Sequence, residues 1–367
     1  MTEGTSQRPA REAVAPPRPP TIHDVAARAG VSTATVSRIL SGVLAGRPET
    51  RARVLTAVAD LGYRPSGVAR SLKLGSTGIL GLIVTDILNP FYPELVRAIE
   101  DAARSSELAV VLCNGQEDAD REAAYLELLA ERRVDGVVIA SGSLSERHGR
   151  WLADAPLPVV LVNCRLADGS RPAILTDNRA AARVAAEHLL GLGHRRIGHI
   201  TGRPVDAATE DRLAGVRDAI AAAGLSRDDL IVIEGDGHAA GGERAMYRLR
   251  ELAPDVTAVA CYNDLTAIGA MEALRRQGLR VPRDMSVVGF DNIGLATLVD
   301  PPLTTVAQDI GTMARWALDR LREAIGRNGR TDGTGGSQEM VLPVRLVVRG
   351  STGPPPGQGE PGVGRPG

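Results

Sequence analysis

From Ile79 onward one alternation restricts the fold more than any other feature of the chain. Short runs that are apolar almost throughout, "ILGLIVTD", "LAVVLCNG", "GVVIAS", "PVVLVN", "RIGHITG", "IVIEGD", "AVACYND" and "SVVGFDN", alternate with longer amphipathic stretches. A strand with one wet face alternates apolar and polar residues, whereas a strand buried on both faces has no need to. The pattern predicts an α/β fold with parallel sheets covered on both sides by helices. There are too many such units for one tidy sheet, so two α/β subdomains are expected. Aromatic residues make up 2% of the 367 residues, so the core must be aliphatic.

The preceding segment has a different texture. "TIHDVAARAGVSTATVSRILSG", Thr21 to Gly42, reads as two short helices around a tight turn. Thr21 and Ser32 are helix-capping types, and Gly30 can leave the first helix in the left-handed conformation. Helical spacing turns Val36, Ile39 and Leu40 inward and leaves Thr33, Ala34, Thr35, Ser37 and Arg38 outside. A third helix starts at Pro48, with Val54, Leu55 and Val58 packing it on the first two. A short helix presenting small polar residues and one arginine can lie deep in a major groove, where longer side chains would hold it off. This is the logic of a helix-turn-helix, in which the second helix reads base edges; the alternative is an ordinary helical hairpin. Charge favours nucleic acid. Residues 21–74 carry eight basic and three acidic side chains, a net charge of +5, which leaves −6 for the remainder. A basic module on an acidic body is expected where the module alone meets a polyanion.

Several classes are set aside. No apolar run approaches the ~20 residues of a membrane-spanning helix. Met1 to Pro20 is Pro-rich without an apolar segment, unlike a secretory signal. Three scattered cysteines, Cys113, Cys164 and Cys261, make no disulfide framework and are expected to be inert core, so a cytoplasmic location is expected. "GLGHRRIG" follows a helix and precedes a strand, the reverse of a dinucleotide fingerprint, so Gly191 and Gly193 read as helix stop and turn. His188, His194 and His199 lack metal-ligand spacing. No P-loop, zincin motif or nucleophile elbow is found. No cofactor, no metal and no enzymatic activity is expected. Residues 1–20 and 351–367, rich in Pro and Gly, are expected to be disordered.

The segment "RPSGVARSLK" makes a resemblance specific. Thr21 to Lys73 resembles the DNA-binding headpiece and hinge of the LacI/GalR family of bacterial transcriptional regulators. The likeness continues through "TDILNPFYPELVRAIEDAA", "RRVDGVVIAS", "EHLLGLGHRRIGHITG", "DRLAGVRDAI", "NDLTAIGAMEALR", "VPRDMSVVGFDN" and "PPLTTVAQDI", and so spans about residues 21–350. It implies a helix-turn-helix domain at 21–64, a hinge helix and linker at 65–75, and a periplasmic-binding-protein-like body at 76–350. The body would divide into an N-subdomain at about 76–176 and 308–339 and a C-subdomain at about 177–307 and 340–350.

Function follows from the resemblance as expectation. Thr33, Ala34, Thr35, Ser37 and Arg38 would meet DNA, with Arg70 and Lys73 near phosphates. Leu72 would wedge into the minor groove, unless it is a buried packing residue; an isolated helix this short needs a partner and DNA to order it. Two headpieces imply a homodimer on a near-palindromic double-stranded operator. In the family, the positions of Phe91, Tyr92, Arg212, Asn263 and Asp291 contact a small-molecule effector at the carboxyl ends of strands, between the subdomains. A carboxylate, an amide and a guanidinium suit vicinal hydroxyls, and a ring face suits the C–H face of a sugar or a base. The expectation is a repressor controlled by a saccharide. A nucleobase or nucleoside effector, a phosphoprotein corepressor, and activation stay open. A solute-binding protein would need an export signal and an enzyme a nucleophile or cofactor loop. Asp291 with Arg212 as a plain ion pair, and Phe91 as core, are the alternatives at the site. The sequence departs from the family at Ser41, at Gly46-Arg47, which removes a serine cap worth ~1 kcal/mol, and at Gly237-His238. There the family often has an aromatic that stacks on ligand; His238 would substitute for it, or the pocket would admit something bulkier such as a disaccharide.

Overall fold

A computed structural model describes residues 18–40, 47–64, 76–142, 144–326 and 339–357. It divides at Thr77 into a small unit and a large one. The expected hinge helix, with Arg70, Leu72 and Lys73, lies outside the described residues, as do Ser41 and Gly46.

The described residues of the small unit form three helices: α1 Ile22–Ala29, α2 Thr33–Leu40 and α3 Pro48–Leu61. Thr21 N and Oγ1 both donate to Asp24 Oδ2 at 2.7 Å, which fixes the start of α1. Gly30 adopts φ 66°, and the Val31 N–H reaches back to Ala26 O, so the chain leaves α1 through a left-handed turn. Ser32 Oγ accepts from Thr35 N at 3.2 Å and opens α2. Val25, Val36, Ile39, Val54 and Ala57 form the core, with Val31, Leu40 and Val58 packed against it. Leu55 is corrected: it is 46% exposed, because the inward stripe of α3 runs through Val54, Ala57 and Val58. Arg47 precedes α3 without a side-chain cap, as the missing serine predicts.

The large unit opens with β1 Ile79–Val84, α4 Phe91–Arg104, β2 Ala109–Asn114, α5 Ala119–Glu131, β3 Gly136–Ala140, α6 Glu146–Ala153, β4 Val159–Val162 and β5 Ala173–Thr176. The chain then crosses to α7 Asn178–Gly191, β6 Ile197–Ile200, α8 Ala207–Ala222, β7 Leu230–Ile233, α9 Ala239–Leu252, β8 Ala258–Cys261, α10 Asp264–Arg276, β9 Ser286–Asp291 and β10 Thr304–Ala307. It returns for α11 Ile310–Gly326 and β11 Glu339–Leu342, and crosses a last time for β12 Arg345–Val347. Two six-stranded sheets result, ordered β11-β5-β4-β3-β1-β2 and β12-β10-β9-β8-β6-β7. All pairings are parallel except β10 with β12. Strands β3, β4, β6, β8 and β9 are buried along their whole length, as the unbroken apolar runs require. Helices α4 and α11 cover one face of the first sheet and α5 and α6 the other. Helices α9 and α10, and α7 and α8, do the same for the second. At Gly81 on β1 an added Cβ would come within 2.6 Å of Leu129 on α5, so the missing side chain sets the helix-to-sheet distance.

Two expectations about the end of the chain are corrected. Residues 339–342 pair with β5 in the first sheet, so the last crossing comes after Leu342 and not at 339. Residues 351–357 are not a disordered tail. Ser351 is fully buried; its Oγ donates to Val287 O and accepts from Thr304 N, while its carbonyl accepts from Val287 N. Gly353 is held by Ser286 and His194, and Thr352 by His188. The composition of the tail hid a Ser-Thr-Gly stretch that satisfies the polar groups at one edge of the second sheet.

Candidate functional site

The carboxyl ends of both sheets meet, and the five expected effector residues all lie at strand ends or on the helices that start there. Tyr92 and Phe91 begin α4, after β1. Phe91 is 5% exposed within the first core, where it meets the Tyr92 ring edge-on at 5.3 Å. Phe91 thus sits among core side chains and braces Tyr92. The Tyr92 hydroxyl is pushed up by burial and bonded by Thr85, and it feels Tyr262, Asp291 and Asp206 of the second subdomain.

Arg212 on α8 is 7% exposed. Its guanidinium lies 3.5 Å from the Phe290 ring centroid and 4.5 Å from that of Tyr262. Nε donates to Asn178 Oδ1 at 2.9 Å and Nη1 to the Tyr262 carbonyl. Asp291, at the end of β9, accepts from Gln308 Nε2 at 2.7 Å. Its φ of 108° is a conformation L-residues rarely adopt, of the kind that clusters at functional sites. Arg212 and Asp291 act on each other through their fields while their hydrogen bonds go elsewhere. Burial raises the Asp291 carboxyl to about 6, and Arg212 and the Gln308 bond hold it from rising further. Asn263 caps α10: its Oδ1 accepts from Thr266 N and Oγ1, both at 2.8 Å, and its Nδ2 donates to Gly237 O at 2.8 Å. Most of its bonding capacity is thus spent on structure. Behind it Asp264 is fully buried, accepting from Thr305 Oγ1 and Ile293 N. Burial, reinforced by Asp291, raises its carboxyl to about 8.

Three groups at the site went unrecognised in the sequence. Tyr262 is an aromatic of the cleft; its ring lies where a Cβ on Gly202 would come within 2.6 Å, and 3.6 Å from one built on Gly237. Its position immediately before Asn263, in a chain so poor in aromatics, was the available signal. Gln308, on a crossing segment, bonds Asp291 on one side and Asn163 and Thr176 on the other. Glu117, in the turn after β2, reaches across to Arg203 at 2.8 Å and His238 at 3.4 Å. His238 thus lies beside a carboxylate from the opposite subdomain. A cavity of about 340 Å³ adjoins the cluster, lined by Asn163, Thr176, Asn178, Arg179, Ala208 and Asp211 among others. It reaches Arg212 through Asn178 and Asp291 through Asn163 and Gln308; none of the five expected residues lines it directly.

On the small unit, Ala34 and Arg38 of α2 are exposed and Thr33, Thr35 and Ser37 half-buried. The face expected to meet DNA is small, polar and carries one cation.

Other polar residues have structural duties. His199 Nδ1 donates to Ala260 O at 2.8 Å, and burial lowers the imidazole to about 4. His188 and His194 serve the 351–353 segment. Cys113, Cys164 and Cys261 are buried and free; burial raises all three thiols, Cys164 to about 12. Among the described residues no group of three or more potential ligands could hold a metal ion, and no helix is long and apolar enough to cross a membrane.

Residues 21–66 match the bacterial regulatory proteins of the lacI family, and residues 186–352 match the periplasmic binding protein-like domain. The chain is 36% identical over 332 residues to the ribose operon repressor of Halalkalibacterium halodurans, covering 90% of this chain and 97% of that protein. Among solved structures, the lac repressor dimer bound to operator and the anti-inducer ONPF aligns with a TM-score of 0.80 at 28% identity, over 92% of this chain and 100% of that one. The complex of the transcriptional regulator CelR with cellobiose aligns with a TM-score of 0.69 at 32% identity, over 90% and 99% of the two chains.

Proposed function

The chain belongs to the lacI family of bacterial regulatory proteins, and from that premise we propose that it is a cytoplasmic, effector-controlled repressor. It binds a near-palindromic double-stranded operator as a homodimer, through α2 of each headpiece and through the hinge that carries Arg70, Leu72 and Lys73. A saccharide in the cleft between the two sheets controls it, with Tyr92, Arg212 and Asp291 as the ligand-binding groups, Phe91 bracing Tyr92 and Asn263 bracing the loop at Gly237. The observation that carries this reading is one bond chain. Asp291 is tied through Gln308 to Asn163 and Thr176 of the other subdomain. A ligand hydroxyl that engages Asp291 therefore acts on the segment where the chain passes between subdomains. Effector and operator affinities are then coupled reciprocally, by the same factor.

The test is selection of operator from a random duplex library, followed by anisotropy of the selected duplex with and without free sugars. The expected result is a two-fold symmetric consensus whose affinity changes with one saccharide. Selection of no consensus, or a consensus whose affinity no sugar alters, would reject the DNA half or the sensor half of the reading respectively.

A further inference from the structure

Another cavity lies apart from the cleft, at the outer edge of the second sheet, between the C-terminal half of α8 and the edge strand β7. Its volume is about 310 Å³, at the small end of pockets that hold small molecules. Local sequence builds it. The chain leaves α8 through Gly224 at φ 71°, and the Leu225 N–H returns to Ile220 O. Ser226 Oγ then accepts from Asp228 N at 3.2 Å and opens a 3₁₀ turn at Arg227–Asp229. That reversal folds Arg227 back to the cavity that Arg217 lines from α8. Ile220, Leu225 and Leu230 line it as the outer margin of the core packed under α8. Val232 on β7 adds an apolar wall that is 39% exposed.

The charges around this apolar lining are unbalanced. Neither Arg217 nor Arg227 has a side-chain hydrogen bond or ion pair with any described residue. Arg147, Arg196, Arg244 and Arg276, also at the surface of the body, each hold a carboxylate. Asp218 lines the cavity too, but Arg179 forks onto both its oxygens at 2.6 and 2.9 Å and holds its carboxyl below the usual range. Asp229 accepts from Ser226 N at 2.8 Å, and Asp228 is not part of the lining. We infer that this cavity is a second ligand site, for a small organic acid whose carboxylate is joined to a compact apolar body. A guanidinium matches a carboxylate in a planar two-bond fork and is more weakly hydrated than an ammonium. The apolar body covers Leu225 and Val232 and gains from the area removed from water. A free sugar supplies neither the charge nor the apolar surface, so this site and the cleft differ in chemistry and stand or fall separately.

The experiment is a saturation-transfer NMR titration of the full chain with 3-phenylpropionate. Two controls accompany it: 3-phenylpropan-1-ol keeps the apolar body and loses the charge, and propionate keeps the charge and loses the body. Saturable binding of 3-phenylpropionate is expected, with each control at least about tenfold weaker. Arg217→Gln and Arg227→Gln, both at exposed side chains, should each weaken it about tenfold. Ala221→Phe, at an exposed position in the lining, should block it in a chain that keeps the parent's urea midpoint. The inference is overturned if the parent does not saturate with 3-phenylpropionate in the millimolar range, or if either control binds as tightly. It is equally overturned if binding survives Arg217→Gln and Arg227→Gln combined.

Discussion

Gln308 Nε2 donates to Asp291 Oδ1 at 2.7 Å, and Gln308 Oε1 accepts from Asn163 and Thr176. One amide thus joins the end of β9 in the second sheet to the ends of β4 and β5 in the first. Gln308→Leu leaves several buried polar groups without a partner, at a cost of about 1–3 kcal/mol. Asp291 also loses a bond to its charged form, so its carboxyl rises above about 6. Urea unfolding should show the loss, and operator anisotropy should show a smaller effector response than in the parent. An unchanged response in a folded variant would remove Gln308 from the coupling.

Stability should depend on pH through two carboxyls. Asp264 at about 8 and Asp291 at about 6 both lie above the ordinary aspartate value of 3.8. Between about pH 4 and pH 8 the folded state therefore binds more protons than the unfolded chain. Their contribution is full below about pH 4 and is lost as pH rises, by at most about 1.4 kcal/mol per pH unit for each group. Asp264→Asn removes the larger part and flattens the curve above about pH 6. Urea midpoints near pH 5, 6.5 and 8 measure this directly; identical slopes in parent and variant would contradict it.

Glu117 bridges the subdomains at the mouth of the cleft, meeting Arg203 and His238. The pairs are partly exposed, so Glu117→Gln should cost no more than about 1 kcal/mol of stability. Its effect should fall on opening. The dissociation rate of a bound sugar is expected to rise several-fold in stopped-flow traces while its association rate stays within about twofold. A change confined to association would assign Glu117 to entry and not to closure.

Arg38 stands exposed on α2. Arg38→Ala should weaken operator binding by about 1–3 kcal/mol if the guanidinium forks onto a base, and should relax preference at one position. If it meets a phosphate, binding should weaken evenly across sequences and the salt slope should fall by about one. Anisotropy against matched and single-mismatch duplexes at several salt concentrations separates the two.

Ser351 fills a buried slot, bonded to Val287 and Thr304. Ser351→Ala should destabilise the body by about 1–3 kcal/mol, visible as a lower Tm with DNA contacts intact in the headpiece. A neutral outcome would show that another group satisfies Thr304 N.

Much of this architecture is legible in the sequence where burial is purely apolar. Eight of the twelve strands among the described residues stand out as Val/Ile/Leu runs. Strand β10 does not, because Thr304 and Thr305 are fully buried through hydroxyl bonds to Thr352 and Asp264 and not by hydrophobicity. Strands β5, β11 and β12 are only three or four residues long, and β11 is exposed along most of its length. At the site, strand-end position and residue type point to Asp291 and Arg212. They do not disclose that Asn263 is occupied with capping, nor that Glu117, His238 and Gln308 join parts of the chain more than a hundred residues apart. Such pairings are set by how the two sheets face each other, which no local spacing encodes.

The order of assembly is written into the last strands. A ribosome that has delivered residues 1–307 has made β1 to β5, yet the first sheet still lacks β11 at one edge and α11 over one face. The second sheet still lacks β12. Neither half of the body can be finished before the other has been synthesised, so growth from the N-terminus cannot complete them in sequence. The nascent headpiece is available to fold long before β11 and β12, which complete the two sheets of the body, have emerged.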